Sequence, residues 1–281
     1  EPLFSITSSD RPSMNSRQTG VPTMMKTITL LVALLLASIA TPASAANEAK
    51  IIFWYPGEAG NTAEAQPLID LFCDTINAQI KPFSVSGKYF NSVAGGLEFI
   101  WKEHPQLAII SHPALVQEGA KLGKYETILA TLPEPSGKPL EQYSLVGATP
   151  TLQDGAEIVT SEPLSENFIR EYLFPNLPKK ISLRSSSQIL LELQRIGSGK
   201  KKGYAILTPS EAFSLKRIPS AWSKSIKFIS HSKEVPSASL VSFDNSWKGI
   251  AQLKAVLLRL SSNPANSELL GELRLKGFAE R

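Results

Sequence analysis

Cysteine is nearly absent from this chain. Cys73 is the only cysteine in 281 residues, so no intramolecular disulfide can form. In an oxidising compartment, stability must then come from packing. Cys73 lies in the segment 67–73, which has a helical pattern, and a buried structural thiol is the usual role of such a residue. A nucleophilic thiol would need a neighbouring base, and the sequence indicates none.

Histidine is scarce too, and sequence signatures of catalysis are missing. The three histidines have no close spacing, so the sequence contains no recognisable set of metal ligands. It contains no Gly-x-Ser-x-Gly elbow and no glycine-rich nucleotide loop. Thr160, Ser161 and Ser165 could act as nucleophiles only beside a base, and the sequence pairs none with them. We therefore expect a protein that is not an enzyme and needs no cofactor or metal.

The chain also lacks a strong excess of either charge. It has 29 basic and 25 acidic residues, for a formal net charge of +4. The one basic run, Lys200–Lys202, is bracketed by glycines, and we interpret it as a solvated loop. A nucleic-acid-binding protein would present a dense basic face. We therefore expect no nucleic-acid partner.

The longest apolar run lies near the N-terminus. Residues 24–45 contain Lys26, an apolar run over 28–40 and the small-residue triplet Ala43-Ser44-Ala45. This order is typical of a secretory signal peptide with an A-x-A cleavage site. A transmembrane anchor is the weaker alternative, because a span needs ~20 apolar residues. We predict cleavage near Ala45 and a periplasmic location.

Residues 1–23 show no helical or strand periodicity. We expect them to be non-structural sequence upstream of a start at Met24 or Met25.

The remainder of the chain alternates strand signals with helix signals in two blocks. Apolar runs such as 51–55 and 107–110 are followed by helical patterns, and the segments 142–147 and 237–243 read as crossings between the blocks. Such alternation predicts an α/β fold with mainly parallel sheets flanked by helices. We predict two lobes with a ligand cleft between them. Their limits are 46–142 with 244–281 for lobe 1, and 143–243 for lobe 2.

Three segments carry a family resemblance. They read IIFWYPGEAGNTAEAQPLIDLF, SVAGGLEFIWKEHPQLAIISHPALV and LKAVLLRLSSNPANSELLGELRLKGF. Together they resemble the type II periplasmic solute-binding proteins, above all the phosphonate- and phosphate-binding components of ABC transporters. The resemblance implies a two-lobed fold with two hinge crossings and a small, anionic ligand captured for import. It also implies delivery to an ABC permease by a monomeric protein.

The resemblance also implies where the ligand is bound. Members of this class hold anions with N–H groups and hydroxyls at helix N-termini, where the helix dipole favours negative charge. The corresponding candidates for ligand binding here are Tyr55, Asn61, Thr62, Ser111, His112, Ser161, Ser165, Ser185, Ser186 and Thr208. For the serines at 185–187, helix capping alone is the competing role.

Two acidic residues depart from the family pattern. Glu162 and Glu166 introduce negative charge into the hydroxyl-rich turn that follows the first strand of the second block. The alternatives to an anionic ligand are a cationic or zwitterionic ligand, or the loss of anion binding. A periplasmic protein that reports to a membrane sensor or another partner is the alternative to an importer component.

Overall fold

The computed structural model describes residues 47–58 and 60–281. The predicted signal peptide and the upstream segment 1–23 lie outside the described residues. No helix within the described ranges is both long enough and apolar enough to cross a membrane.

Eleven strands are present in the described ranges. In chain order they are β1 (Glu48–Trp54), β2 (Ser84–Phe90), β3 (Leu107–Ile110), β4 (Glu126–Pro133), β5 (Leu140–Gly147), β6 (Ala156–Thr160), β7 (Ile181–Ser185), β8 (Tyr204–Leu207), β9 (Lys227–Pro236), β10 (Ser239–Ser242) and β11 (Leu275–Ala279).

Helices alternate with these strands. They are α1 (Thr62–Asn77), α2 (Val93–Glu103), α3 (His112–Leu122), α4 (Glu166–Phe168), α5 (Ile189–Gly197), α6 (Pro209–Arg217), α7 (Ala221–Ser225), α8 (Ile250–Arg259) and α9 (Ser267–Glu272). Helix α4 continues as a π-helical turn, Ile169–Leu173, and 3₁₀ turns occupy Leu260–Ser262 and Pro264–Asn266.

The strands form two sheets, each of which belongs to one lobe. The first lobe contains a six-stranded sheet in the order β11-β4-β10-β3-β1-β2, and the second contains a five-stranded sheet in the order β7-β6-β8-β5-β9. The two sheets are built alike. In the first sheet β1 lies between the parallel strands β2 and β3, and in the second sheet β6 lies between the parallel strands β7 and β8. An antiparallel strand that arrives from the other sheet follows in the strand order, β10 beside β3 and β5 beside β8. The predicted two-lobed α/β fold is confirmed.

The prediction of mainly parallel sheets needs correction, because both sheets are mixed. Strands β10 and β5 pair antiparallel with both of their neighbours, and β11 pairs antiparallel with β4. Parallel pairing requires a long crossover that returns the chain to the same end of the sheet. The short connections 134–139 and 237–238 instead lead directly from one sheet into the other.

These two connections lie side by side. The Ser237 N–H donates to the Pro139 carbonyl oxygen at 3.1 Å, and the Ser237 hydroxyl donates to the carbonyl oxygen of Thr131 in β4 at 2.6 Å. Sheet membership places β5 wholly in the second sheet and β10 in the first. A division by sheets therefore falls within 134–139 and 237–238, whereas the sequence placed the limits at 143 and 243. The extents of the lobes as moving bodies stay a prediction.

Strand β1 explains how the first lobe is built. Its side chains alternate between two apolar layers, because successive residues of a strand point to opposite faces. Phe53 packs with Phe72 of α1 in one cluster, and Trp54 packs with Leu97 of α2 in the other. Helices α8 and α9 complete the Phe53 layer through residues such as Leu257. The predicted return of the C-terminal helices to the first lobe is thus observed.

Candidate functional site

A cleft with a volume of about 310 Å³ lies between the lobes. The parallel strands of both sheets point their carboxyl ends towards it. Tyr55 follows β1 and Ser111 follows β3 on one side, while Glu162 follows β6 and Thr208 follows β8 on the other. In open α/β sheets, ligands bind in the crevice outside the carboxyl ends of the strands. The fold therefore places this cleft where a ligand site is expected.

The lobes touch along one edge of the cleft. Gly57, in the loop after β1, has a φ of +92° and packs against the backbone of the loop after β6. A Cβ atom at this position would lie 2.5 Å from the Ser161 carbonyl oxygen and 2.5 Å from Glu162 Cα. Only glycine fits both the backbone conformation and this close approach. The contact encloses the cleft on that side.

Carboxylates dominate the polar lining of the cleft. Glu58, Glu141 and Glu162 all line it, and Glu211 lies behind Thr208. Glu162 is only 8% exposed, and one of its carboxylate oxygens accepts a hydrogen bond from the Tyr143 hydroxyl at 2.7 Å. Within the described ranges, no cationic side chain forms an ion pair with Glu141, Glu162 or Glu211. The cleft therefore has a negative potential when these groups ionise.

The pKa values of these carboxyl groups reflect their surroundings. Burial raises the pKa of Glu141 to about 7, and the charge of Glu58 acts in the same direction. Burial also raises the pKa of Glu162 well above its ordinary value, although the hydrogen bond from Tyr143 opposes that shift. Burial raises the pKa of Glu211, against hydrogen bonds from Ser161 and Thr208. A bound positive charge would oppose these shifts, because it favours the ionised form of each carboxyl group.

Three tyrosines supply the aromatic part of the wall. Tyr55, Tyr89 and Tyr143 line the cleft, and burial raises the pKa of each phenol. The pKa of Tyr89 reaches about 12, and burial raises the pKa values of Tyr55 and Tyr143 well above that of a free phenol. All three phenols therefore stay neutral at physiological pH and contribute aromatic surface to the wall of the cleft.

The one cationic side chain in the described wall of the cleft is Arg274. It is 66% exposed, and its guanidinium lies 3.9 Å from the Glu58 carboxylate at the rim. No group of three or more His, Cys, Asp or Glu side chains in the described part of the chain has the arrangement of a metal site. The site thus combines acid groups, phenols and hydroxyls, with its positive charge confined to the rim.

The structure brings three of the ten predicted site residues into the cleft lining: Tyr55, Ser111 and Thr208. Ser161 lies beside them, with its hydroxyl bonded to Glu211. Ser111 precedes α3 but makes no side-chain capping bond there. The Thr208 side chain already caps α6, because its hydroxyl oxygen accepts a hydrogen bond from the Glu211 N–H at 3.3 Å. As ligand contacts, all of these residues stay predictions.

The remaining predicted residues lie outside the cleft lining. Asn61 caps α1 in a capping box with Glu64, and the Thr62 hydroxyl donates to the Tyr89 carbonyl at 2.9 Å. Ser165 caps α4, and its N–H donates to Gln117 at 2.6 Å across the lobes. Ser185 lines a separate groove with Ser165, and Ser186 accepts from the Gln188 N–H at 3.2 Å.

His112 lies between the lobes but not in the cleft lining. Its ring packs 6.1 Å from the Phe168 ring and 6.2 Å from the Tyr172 ring, measured between centroids. Neither ring nitrogen has a hydrogen-bond partner, and burial, with the charge of Arg281, lowers the pKa of His112 to about 4. His112 is thus a neutral side chain in an apolar contact between the lobes.

The two acidic residues singled out in the sequence separate in the structure. Glu162 forms part of the cleft wall, whereas Glu166 pairs with Arg170 at 2.7 Å outside it. Sequence reasoning missed Glu58, Glu141 and Tyr143. The available signal was their position at strand ends and beside a lobe crossing, where polar side chains of an α/β protein meet the ligand crevice.

A matched pair of alanine variants separates a cleft residue from a cap. We expect Ser111→Ala to weaken ligand binding with little change in the free energy of unfolding, because its hydroxyl caps no helix. Asn61→Ala should lower the free energy of unfolding by about 1 kcal/mol and leave affinity unchanged. Urea titration and calorimetric titration of each variant measure the two quantities. Equal losses of stability and affinity in the Ser111 variant would contradict its assignment to the cleft.

No protein-family model matches the sequence, and no curated protein matches it significantly. Solved structures do match over most of the chain. The binding-protein component of an ABC phosphonate transporter from Pseudomonas aeruginosa has a TM-score of 0.59 and 13% identity, with 83% of this chain and 81% of that chain covered. The fold is that of a type II periplasmic binding protein.

Two further structures of this fold were solved with ligands. PhnD1 from Prochlorococcus marinus, in complex with methylphosphonate, has a TM-score of 0.60 and 12% identity over 84% of this chain and 93% of that chain. A protein from Xanthomonas citri, bound to ATP, has a TM-score of 0.61 and 10% identity over 84% of this chain and 91% of its own. At this identity the likeness establishes the shared periplasmic-binding-protein fold.

Proposed function

We propose that this protein is an exported solute-binding protein that captures a small ligand between its lobes. One observation carries the proposal: the cleft of about 310 Å³ is lined from both lobes at the carboxyl ends of their parallel strands. Such inter-lobe clefts are preferred sites for small molecules. The known binding-protein component with the same fold supports this role.

The mechanism in this proposal is hinge closure. The connections 134–139 and 237–238 are the chain's two direct links between the sheets, and backbone changes there would absorb the bend. Ligand enters the open cleft, both lobes contact it, and Gly57 then reaches the Ser161–Glu162 backbone. The closed form, as a periplasmic monomer, would present a surface from both lobes to an ABC permease. A membrane sensor is the alternative recipient.

A phosphonate- or phosphate-like ligand is expected from the family resemblance, but the acidic lining of this cleft disfavours it. PhnD1, which shares the fold, was solved with methylphosphonate. Here, however, Glu58, Glu141 and Glu162 line the cleft, and like charges placed close together disfavour one another. The proposed role as a solute-binding protein therefore holds whether the ligand is an anion or a cation.

Filling the cleft tests the proposal. Ser210 lines it near Thr208, so Ser210→Trp should occupy ligand space, whereas Ser187→Trp adds the same side chain at an exposed position outside it. We expect a thermal-shift panel of phosphate, methylphosphonate, propylamine, β-alanine and tetramethylammonium to contain a ligand that raises the wild-type midpoint by roughly 5–10 °C at 100 times its Kd. The shift should vanish in Ser210→Trp and persist in Ser187→Trp.

Two outcomes would overturn solute binding in this cleft. One is the absence of any shift across the panel with well-folded wild-type protein. The other is a shift of equal size in wild type and Ser210→Trp, which would place the ligand elsewhere.

A further inference from the structure

We propose that the ligand is a small organic cation, whose ammonium group is held by the carboxylates of Glu141 and Glu162 within the wall of tyrosines. This inference rests on the proposed solute-binding function and names the ligand class of the same cleft. It departs from the anionic ligand that the family resemblance implies.

The first argument is that the buried carboxylates lack a counter-ion. The charges that act on Glu141 and Glu162 in the described structure come from other carboxylates: Glu58 for the former, and Glu58, Glu141 and Glu211 for the latter. A buried carboxylate without a cationic partner is strongly disfavoured in its charged form. A cation placed between these groups would supply the missing partner.

The second argument concerns the helix N-termini that reach the cleft. The N-terminus of α6 is already occupied, because the Glu211 carboxylate accepts the Thr208 N–H at 2.9 Å within a capping box. Both α6 and α3 also carry a proline in the first turn, at Pro209 and Pro113, and each proline removes an N–H group. The N–H groups that hold an anion in this fold class are therefore partly missing or already paired.

The third argument is the aromatic lining. Tyr55, Tyr89 and Tyr143 line the same cleft as the carboxylates and stay neutral. The face of an aromatic ring attracts an ammonium group, and the attraction strengthens where water is excluded. Carboxylates together with phenol rings therefore match an organic ammonium better than a phosphate. The absence of a metal-like cluster in the described residues argues for an organic cation over a metal ion.

Calorimetric titration at pH 7.5 with matched three-carbon compounds tests the charge requirement. Propylamine has the ammonium alone, β-alanine has both charges, and propionate has the carboxylate alone. We expect propylamine and β-alanine to bind, and propionate and methylphosphonate to show no heat of binding. Tighter binding of β-alanine than of propylamine would identify a zwitterion whose anionic end meets Arg274, whereas the reverse order would identify a simple cation.

Isosteric variants test whether the charges of Glu141 and Glu162 hold the ammonium group. Glu141→Gln and Glu162→Gln keep size and burial but remove the charge, so each should weaken amine binding at least tenfold. Glu48→Gln removes the same charge from an exposed position outside the cleft and should leave the affinity within twofold. Circular dichroism of each variant verifies that it is folded.

The outcomes separate this inference from the function on which it rests. Binding of methylphosphonate or propionate without binding of either amine would overturn the cation and leave solute binding intact. Unchanged amine affinity in folded Glu141→Gln and Glu162→Gln would also overturn it. Failure of every compound to bind would overturn the cation and, with the thermal-shift panel negative as well, the solute-binding function too.

Discussion

Gly57→Ala is expected to hold the two lobes apart and to weaken ligand binding by at least tenfold. The added Cβ would lie 2.5 Å from the Ser161 carbonyl oxygen and 2.9 Å from the Glu162 N atom. These are backbone atoms of the other lobe, which cannot rotate away as a side chain can. Small-angle X-ray scattering should show a larger radius of gyration for the variant, and titration with a ligand found in the panel gives the affinity.

Gly60→Ala is the matched control for this experiment. Gly60 belongs to the same loop and has a φ of +91°, so alanine meets the same backbone strain, about 1 kcal/mol. Its Cβ would meet only the end of the Glu64 side chain, at 3.3 Å. A compact Gly57→Ala protein with wild-type affinity would show that the Gly57 contact does not limit closure. Similar defects in both variants would assign the effect to loop strain.

Glu141→Gln is expected to stabilise the ligand-free protein at pH 8 and to have no effect at pH 4.5. The pKa of Glu141 rises from 4.5 to about 7 on folding, because the carboxyl group is buried and lies near Glu58. The folded state therefore binds more protons than the unfolded state between these pH values, and wild-type stability falls as the pH rises through that window. The full shift corresponds to about 3 kcal/mol, and access of solvent to the cleft reduces this to about 2 kcal/mol.

The effect must be measured as the difference between variant and wild type, because His112 titrates in the opposite sense. Burial lowers its pKa from 6.5 to about 4, so the folded state binds fewer protons there and gains stability as the pH rises. Urea titrations at pH 4.5, 6 and 8 should give a difference that grows with pH. A difference independent of pH, or equal to that of Glu48→Gln, would mean that Glu141 titrates normally.

Strands buried on both faces could be predicted from the sequence. Residues 107–110 form β3 with the predicted limits, and the first predicted strand, 51–55, overlaps β1. All four residues of β3 are buried, and such continuous short apolar runs identify central strands.

The strands at one edge of the first sheet could not be predicted. Strand β11 contains Gly277 at a φ of +141°, and its register with β4 shifts near that residue. Glycine weakens a strand pattern, and β4 was missed along with β11. Each of these strands is stabilised by pairing with a segment more than 100 residues away, which local periodicity does not reveal.

The residues of the cleft also fall into those that local sequence could identify and those that it could not. Tyr55 was identified at the end of a predicted strand, and Ser111 and Thr208 were identified as candidates at helix N-termini; the structure places all three in the cleft lining. Glu141 was missed because it lies beside a crossing and reaches the cleft only once β5 joins the second sheet. The raised pKa of Glu162 depends on its burial and on carboxylates from both lobes, and no spacing in the sequence encodes that arrangement.

The way the chain passes between the two sheets also predicts the order in which the two lobes fold. The second sheet uses one continuous stretch, 140–236, so it has all its strands once that stretch is available. The first sheet needs β10 and β11, near the end of the chain, to pair with β3 and β4, which lie more than 100 residues earlier. Contacts at such long separation form slowly, because a large loop must close first. The second lobe should therefore fold first, and a chain cut after residue 236 should retain it while the first lobe stays unfinished.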